Sequence, residues 1–322
     1  MSAIDSTHGR PCPPAGRRPI VVVYRPDTVQ ALAAAGLDCD IVEWRRGEAP
    51  PPGHRADVCF GGYNVDASGP AWAQGASWIH LSGVGIDNVP RGLLDGRVVT
   101  NSAGVNAVPV AELAVMFLLA AVKDVPRIWG PAAPDATWTD FQLDVLDGHT
   151  LGIIGYGHIA RELVPRARAF GMTVLVHTLT PRPDGDGVAF VTKEELAASA
   201  DHIVVAATAN ESTRDIVDRT FLQRTKPGVH LVNVARGSLV EQEALRPFLD
   251  SGHVSRASLD TVEPEPLPAD HWLRGHPRVK LTPHVGGVFA HAAMTRRAVE
   301  RFAANLRRYL AGEELLDIVR GA

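Results

Sequence analysis

A short apolar run, residues 151–154, stops at Gly155. From there the chain reads Gly155-Tyr-Gly157-His158-Ile159-Ala160 and continues into a helical pattern over residues 161–170. A buried strand that ends in a G-x-G-x-x-A turn and reopens as a helix constrains this fold more than any other feature. It predicts one βα unit of a parallel sheet, with a dinucleotide at the helix N-terminus. Gly155 permits the tight turn, Gly157 lets backbone approach a pyrophosphate, and Ala160 is small enough for helix and strand to pack closely. The free N–H groups of the first helical turn, at His158, Ile159 and Ala160, and the positive end of the helix dipole then face the phosphates.

A chain of 322 residues has room for about two domains. Its net charge of −4 offers no basic excess for nucleic acid or an anionic membrane. The most apolar stretch, residues 105–122, contains Pro109 and Glu112 and reads as a buried helix rather than a membrane span. Cys12, Cys39 and Cys59 are odd in number and form no C-x-x-C pair, which points to a reducing, cytoplasmic setting. Residues 1–19 lack an apolar segment and do not read as a secretory signal. Arg17 and Arg18 are read as a solvated pair in a flexible tail rather than as a twin-arginine export signal, because Pro19 and a strand follow directly.

Strand-like runs recur at residues 20–24, 39–44, 57–60, 78–81 and 98–100, and residues 28–35 form a helical segment closed by Gly36. After the glycine turn a second series follows at 173–177, 203–206, 230–234, 255–259 and 279–281, and residues 290–310 read as a long helix. This alternation predicts an α/β protein of two doubly wound parallel-sheet domains. The dinucleotide turn lies in mid-chain, so the first series forms its own unit, to which the final helix returns. The expected organisation is a tail over 1–19, a substrate-binding domain from 20–101 with 288–322, and an NAD(P)-binding domain over 102–287. Two chain crossings imply a hinge and a cleft, the usual place for a ligand.

Three strand ends in the second series carry chemistry. Arg236 follows the run 231–235, Glu265 lies in the loop after 255–259, and His284 follows 279–281. In an open α/β sheet the carboxyl edge is where ligands bind. Arg236 can clamp a carboxylate or carbonyl oxygen with paired N–H bonds. His284 can give a proton to a carbonyl oxygen. Glu265 can accept from the other imidazole nitrogen, orient the ring and favour its charged form. Singly, each has a bland reading: an idle surface guanidinium, one of 13 structural histidines, a solvated loop carboxylate. Together, downstream of a nucleotide turn, they are the parts needed to reduce a 2-keto acid.

These segments resemble the D-isomer-specific 2-hydroxyacid dehydrogenase family, of the glyoxylate/hydroxypyruvate reductase kind. The resemblance rests on Gly83-Val84-Gly85-Ile-Asp87-Asn88, Asn101-Ser-Ala-Gly104-Val-Asn106, Val110-Ala-Glu112-Leu, the glycine turn, Asn233-Val-Ala235-Arg236-Gly237, residues 260–266 and Thr282-Pro-His284, all in order. It implies a Rossmann domain inserted into a flavodoxin-like substrate domain, with Arg236, Glu265 and His284 as the catalytic set. It also implies a homodimer and a small 2-keto or 2-hydroxy acid of D configuration. Backbone N–H groups of Ser82, Gly83, Val84 and Gly85 would hold the substrate carboxylate, a nest-like anion site. Asp260 would approach the nicotinamide, with Val110 and Ala235 also on the cofactor side. Tyr63, in the loop 61–66, is a candidate for substrate selection.

The sequence departs from the family where the cofactor is chosen. NAD users carry an acid at the end of the second Rossmann strand. Here that strand ends His177-Thr178-Leu179-Thr180-Pro181-Arg182, with Thr178 in the acid's place. Repulsion against a 2′-phosphate is gone, and Thr178, Thr180 and Arg182 could bind one, which favours NADP over NAD. Thr208 replaces a usual Pro on the adenine side. His271 and His276, in an atypical stretch, have no third partner at regular spacing, so no metal is expected. Three other readings stay open: a formate- or phosphite-type dehydrogenase of the same fold, a non-catalytic NAD(P)-sensing scaffold of the corepressor type, and a short phosphoglycerate dehydrogenase.

Overall fold

Runs of Val, Ile and Trp bounded by Gly, Pro and Asp give this chain its strands. The computed structural model describes residues 4–5, 10–24, 26–61, 69–85, 89–130, 137–185, 187–287 and 292–319. The chain divides into two compact units, residues 1–106 with 289–322, and residues 107–288.

In the first unit β1 (Ile4–Asp5) and β2 (Arg10–Pro11) form a short antiparallel pair. Five strands follow: β3 (Ile20–Val23), β4 (Asp40–Glu43), β5 (Val58–Gly61), β6 (Trp78–Leu81) and β7 (Val98–Asn101). They pair in parallel in the order β4-β3-β5-β6-β7, the flavodoxin-like arrangement. Side chains alternate between two covered faces, as a parallel sheet requires. Val21, Val23, Phe60 and Trp78 pack with Phe302 and Leu306 of the terminal helix Ala292–Leu310, while Val22, Cys59, Ile79 and Leu81 pack with Trp72, Leu93 and Leu94.

Residues 10–19 are not the free tail expected from composition. Arg17 makes two 2.8 Å bonds to the carboxylate of Asp57, Arg18 reaches Asp38 and Asp40, and Tyr309 donates to the Cys12 carbonyl. The arginine pair is therefore tied to the start of the sheet, which the distance in sequence between Arg17 and Asp57 concealed.

The second unit holds β8 (Thr150–Ile154), β9 (Thr173–His177), β10 (Ala189–Phe190), β11 (His202–Val205), β12 (Val229–Asn233), β13 (Val254–Leu259) and β14 (Val279–Leu281). All pair in parallel in the order β10-β9-β8-β11-β12-β13-β14, a Rossmann sheet with a seventh strand. β10, two residues long, had no sequence signal. Chain order reverses between β8 and β11, the switch point at whose carboxyl edge doubly wound sheets bind ligands. Helix Ala107–Val122 packs its buried side chains into the core with helix His158–Ala169.

Residues 102–106, assigned from sequence to the nucleotide domain, belong to the first unit. The Ser102 amide donates to Gly83 and Val105 joins the first core. Among the described residues no helix is long and apolar enough to cross a membrane.

Candidate active site

The glycine turn sits at the switch point. Gly155 has φ +97°, and a Cβ there would lie 2.6 Å from the Ala207 backbone, so a side chain is barred by both conformation and space. Gly157 caps helix His158–Ala169 without a side-chain bond, and a Cβ at Gly157 would meet nothing. Open space in front of uncapped helical amides is a cradle that fits a pyrophosphate. Ala160 is fully buried against the sheet, Ile159 is half-buried and His158 exposed.

The end of β9 carries no carboxylate. Thr178 donates its hydroxyl to the Thr180 carbonyl, Leu179 and Arg182 are exposed, and the first acid downstream, Asp184, accepts from the Phe190 amide. Thr208 is exposed, and its carbonyl accepts from the Thr213 hydroxyl.

At the carboxyl edge of β12, β13 and β14 three loops interlock. His284 Nδ1 lies 2.8 Å from Glu265 Oε2, and Glu265 Oε1 accepts from the Val262 amide at 3.0 Å. The carboxylate thus holds Nδ1–H and leaves Nε2 as the nitrogen able to exchange a proton with a ligand. His284 itself sits at φ +54°, a conformation costly for a non-glycine residue and sustained only when neighbours hold it. Asp260 supplies that hold. Its carboxylate, 3% exposed, accepts from the Thr282 hydroxyl and from the Val285 and Gly286 amides at 2.9 Å, and its carbonyl accepts from His284 N–H. Sequence reasoning put Asp260 with the cofactor and missed this bracing of the histidine loop. Thr282, two residues before His284, was the available signal.

Arg236 is half-buried at the end of β12, and one guanidinium nitrogen donates to the Ala235 carbonyl. Asn233 shapes this turn, bonding the Arg236 carbonyl and the Ala235 amide. The next residue, Gly237, leaves no room for a side chain, since a Cβ would lie 2.0 Å from the Val262 carbonyl carbon. That close approach presses the arginine turn against the loop carrying Glu265, and Gln242 ties the same loop through both backbone groups of Glu263. Val110 and Ala235 are both buried in the core, and Val110 faces the Gly286 turn. His271 caps the short turn Trp272–Arg274 and His276 pairs with Asp250. Among the described residues no group of three His, Cys, Asp or Glu side chains is placed to hold a metal.

In the first unit, Gly83 is buried, Ser82 and Gly85 are half-buried and Val84 is exposed in the turn after β6. Tyr63, Asp87 and Asn88 lie outside the described residues.

A doubly wound sheet with a glycine-lined switch point and a His–Glu pair at its carboxyl edge defines the class: a dinucleotide-binding dehydrogenase fold. The sequence model for the D-isomer specific 2-hydroxyacid dehydrogenase NAD-binding domain matches residues 115–286, and the chain belongs to that family. Among its relatives are a D-3-phosphoglycerate dehydrogenase of Bacillus subtilis, 35% identical over 74% of this chain and 45% of that one, and a hydroxypyruvate reductase of Thermotoga maritima, 36% identical over 66% and 72%. The chain therefore spans about half the length of the phosphoglycerate dehydrogenase. A solved NADPH-dependent glyoxylate/hydroxypyruvate reductase of Sinorhizobium meliloti superposes with a TM-score of 0.72 at 27% identity, covering 94% of this chain and 97% of that one.

Proposed function

We propose that this protein reduces a small 2-keto acid to the D-2-hydroxy acid, and catalyses the reverse, with NADP(H) preferred over NAD(H). The observation that carries the reading is the 2.8 Å His284–Glu265 pair at the carboxyl edge of a sheet whose glycine turn fits a dinucleotide. A nicotinamide dinucleotide held at the Gly155–Gly157 turn would supply the hydride. His284 Nε2 gives the proton to the carbonyl oxygen, and Glu265 holds the ring and places a negative charge beside it. Arg236 grips the substrate with a planar fork of donors. The Val84 and Gly85 amides take the carboxylate, since the Ser82 amide donates to the Gly61 carbonyl. Asp260 holds the loop on which His284 stands.

The absence of an acid at Thr178 supports NADP(H), and the NADPH-dependent relative shares this fold at moderate identity. Reductases acting on hydroxypyruvate and glyoxylate among the relatives favour a small acid. A homodimer and a cytoplasmic setting complete the reading.

The test follows reduced-nicotinamide absorbance with NADPH and NADH against a panel of 2-keto acids. His284→Ala should cut turnover by about a hundredfold or more while the cofactor still binds. Near-normal turnover in that variant would refute the assignment. No turnover in the wild type with any acid, while cofactor binds, would favour formate- or phosphite-type oxidation, or a sensing scaffold.

A further inference from the structure

His80 is fully buried on β6, whose other residues are Trp78, Ile79 and Leu81. Its ring packs among Phe60, Trp78 and Phe302. The sheet register sets Thr100 of β7 directly opposite, and Ser102 follows just past the strand. Trp78 Nε1–H donates to Thr100 Oγ1 at 2.8 Å, and the Ser102 hydroxyl donates to the Leu81 carbonyl at 3.0 Å. A hydroxyl has one proton. With that of Ser102 committed to Leu81, Ser102 Oγ accepts from His80 Nε2–H at 3.1 Å. His80 Nδ1 then carries no proton and accepts from the Thr100 hydroxyl at 2.7 Å. The bonds run one way, from Trp78 through Thr100, His80 and Ser102 to Leu81. Every polar atom is satisfied only while the ring is neutral, and burial pushes its pKa down to about 3.

The chain ends where the turn 82–85 begins. The Ser102 amide donates to the Gly83 carbonyl at 3.0 Å, and Asn101 Nδ2 donates to the Val84 carbonyl at 2.8 Å. In a trans peptide the C=O and the following N–H point in opposite directions. Tying the Gly83 and Val84 carbonyls to the β7 side therefore aims the Val84 and Gly85 amides to the other side. Those are the amides assigned to the substrate carboxylate.

We propose that the buried Trp78–Thr100–His80–Ser102 chain is a positioning device for the anion-binding amides of Val84 and Gly85, with His80 as its pivot. This rests on the reading of the turn 82–85 as the carboxylate site. The ring touches no substrate. It fixes where Ser102 stands, and Ser102 fixes the turn.

Ser102→Ala, His80→Leu and His80→Gln test it by two readouts, the KM for the 2-keto acid and amide hydrogen exchange over residues 82–85. Ser102→Ala and His80→Leu should raise the KM for the keto acid by about tenfold, with kcat and the KM for NADPH within about threefold. Exchange across the turn should quicken by a similar factor. His80→Gln keeps one acceptor and one donor and should recover most of both effects. A folded Ser102→Ala protein with unchanged KM and unchanged exchange would overturn the proposal, and it decides the matter even where His80→Leu does not fold. Should the wild type reduce no 2-keto acid, the functional reading fails, while exchange in the variants still decides whether the chain orients the turn.

Discussion

Asp260 and His284 are bound to each other through backbone rather than through their functional groups. The His284 N–H donates to the Asp260 carbonyl at 3.0 Å, while the Asp260 carboxylate gathers the amides of the two residues that follow His284. The histidine is thereby held in a left-handed conformation, with Nδ1 on Glu265. Buried, multiply bonded carboxylates of this kind are costly to remove, because each donor left behind is unpaired.

In the proposed mechanism Glu265 acts through His284, whose Nδ1 lies 2.8 Å from its carboxylate. Glu265→Ala should lower kcat by roughly tenfold to a hundredfold and leave NADPH affinity unchanged. Glu265→Gln, which can still accept from Nδ1–H, should be the milder of the two. Steady-state kinetics with a cofactor-binding titration would check this, and equal, full activity in both variants would remove Glu265 from the mechanism.

Arg236→Lys keeps the charge and loses the planar fork. The expected outcome is a fall in kcat/KM for the keto acid of about a hundredfold, on the order of 3 kcal/mol, with protein stability little altered. A lysine variant matching the wild type in both constants would show that Arg236 does not clamp the substrate.

Thr178→Asp restores a carboxylate at the end of β9. The ratio of kcat/KM for NADPH to that for NADH should drop by about tenfold or more, since a carboxylate repels a 2′-phosphate and accepts from a ribose hydroxyl. An unmoved ratio would mean that the choice of cofactor is made elsewhere.

Three buried histidines make the fold acid-sensitive. His80 is pushed down to about 3 and His202 to about 4, and His230 lies well below its ordinary value, in each case chiefly by burial. His202 bridges His149 at 3.0 Å and His230 at 3.3 Å, at the amino edge of the second sheet. The unfolded chain takes up these protons near pH 6.5, and the folded one does so only further down. Between those values the unfolded state binds more protons, so stability is fully present above pH 6.5 and falls with pH, by up to about 1.4 kcal/mol per unit per histidine. Urea midpoints at pH 6.5 and 5 should differ by the equivalent of roughly 3 kcal/mol from His80 and His202, with His230 adding in the same direction, and His202→Gln should flatten the slope. A midpoint that holds steady from pH 6.5 to 5 would contradict the buried neutral state.

The sequence alone determined the alternation of strands and helices, the glycine turn and the three polar strand ends, because these are local facts. Apolar runs bounded by turn residues report strands. A G-x-G-x-x-A turn reports the backbone approach that it permits, and the spacing of Arg236, Glu265 and His284 follows from where strands stop. Tertiary structure decided everything that depends on register and close approach. Thr100 meets His80 only because β6 and β7 pair without offset, and Gly237 fits only because Val262 backbone lies where a Cβ would be. Arg17 finds Asp57 across the start of the first sheet, which turned an expected tail into a clamp. Asp260 braces His284 through hydrogen bonds that no spacing rule announces. Such relations join residues far apart in the chain, and their energies depend on burial and bond geometry, which exist only once the sheet has formed.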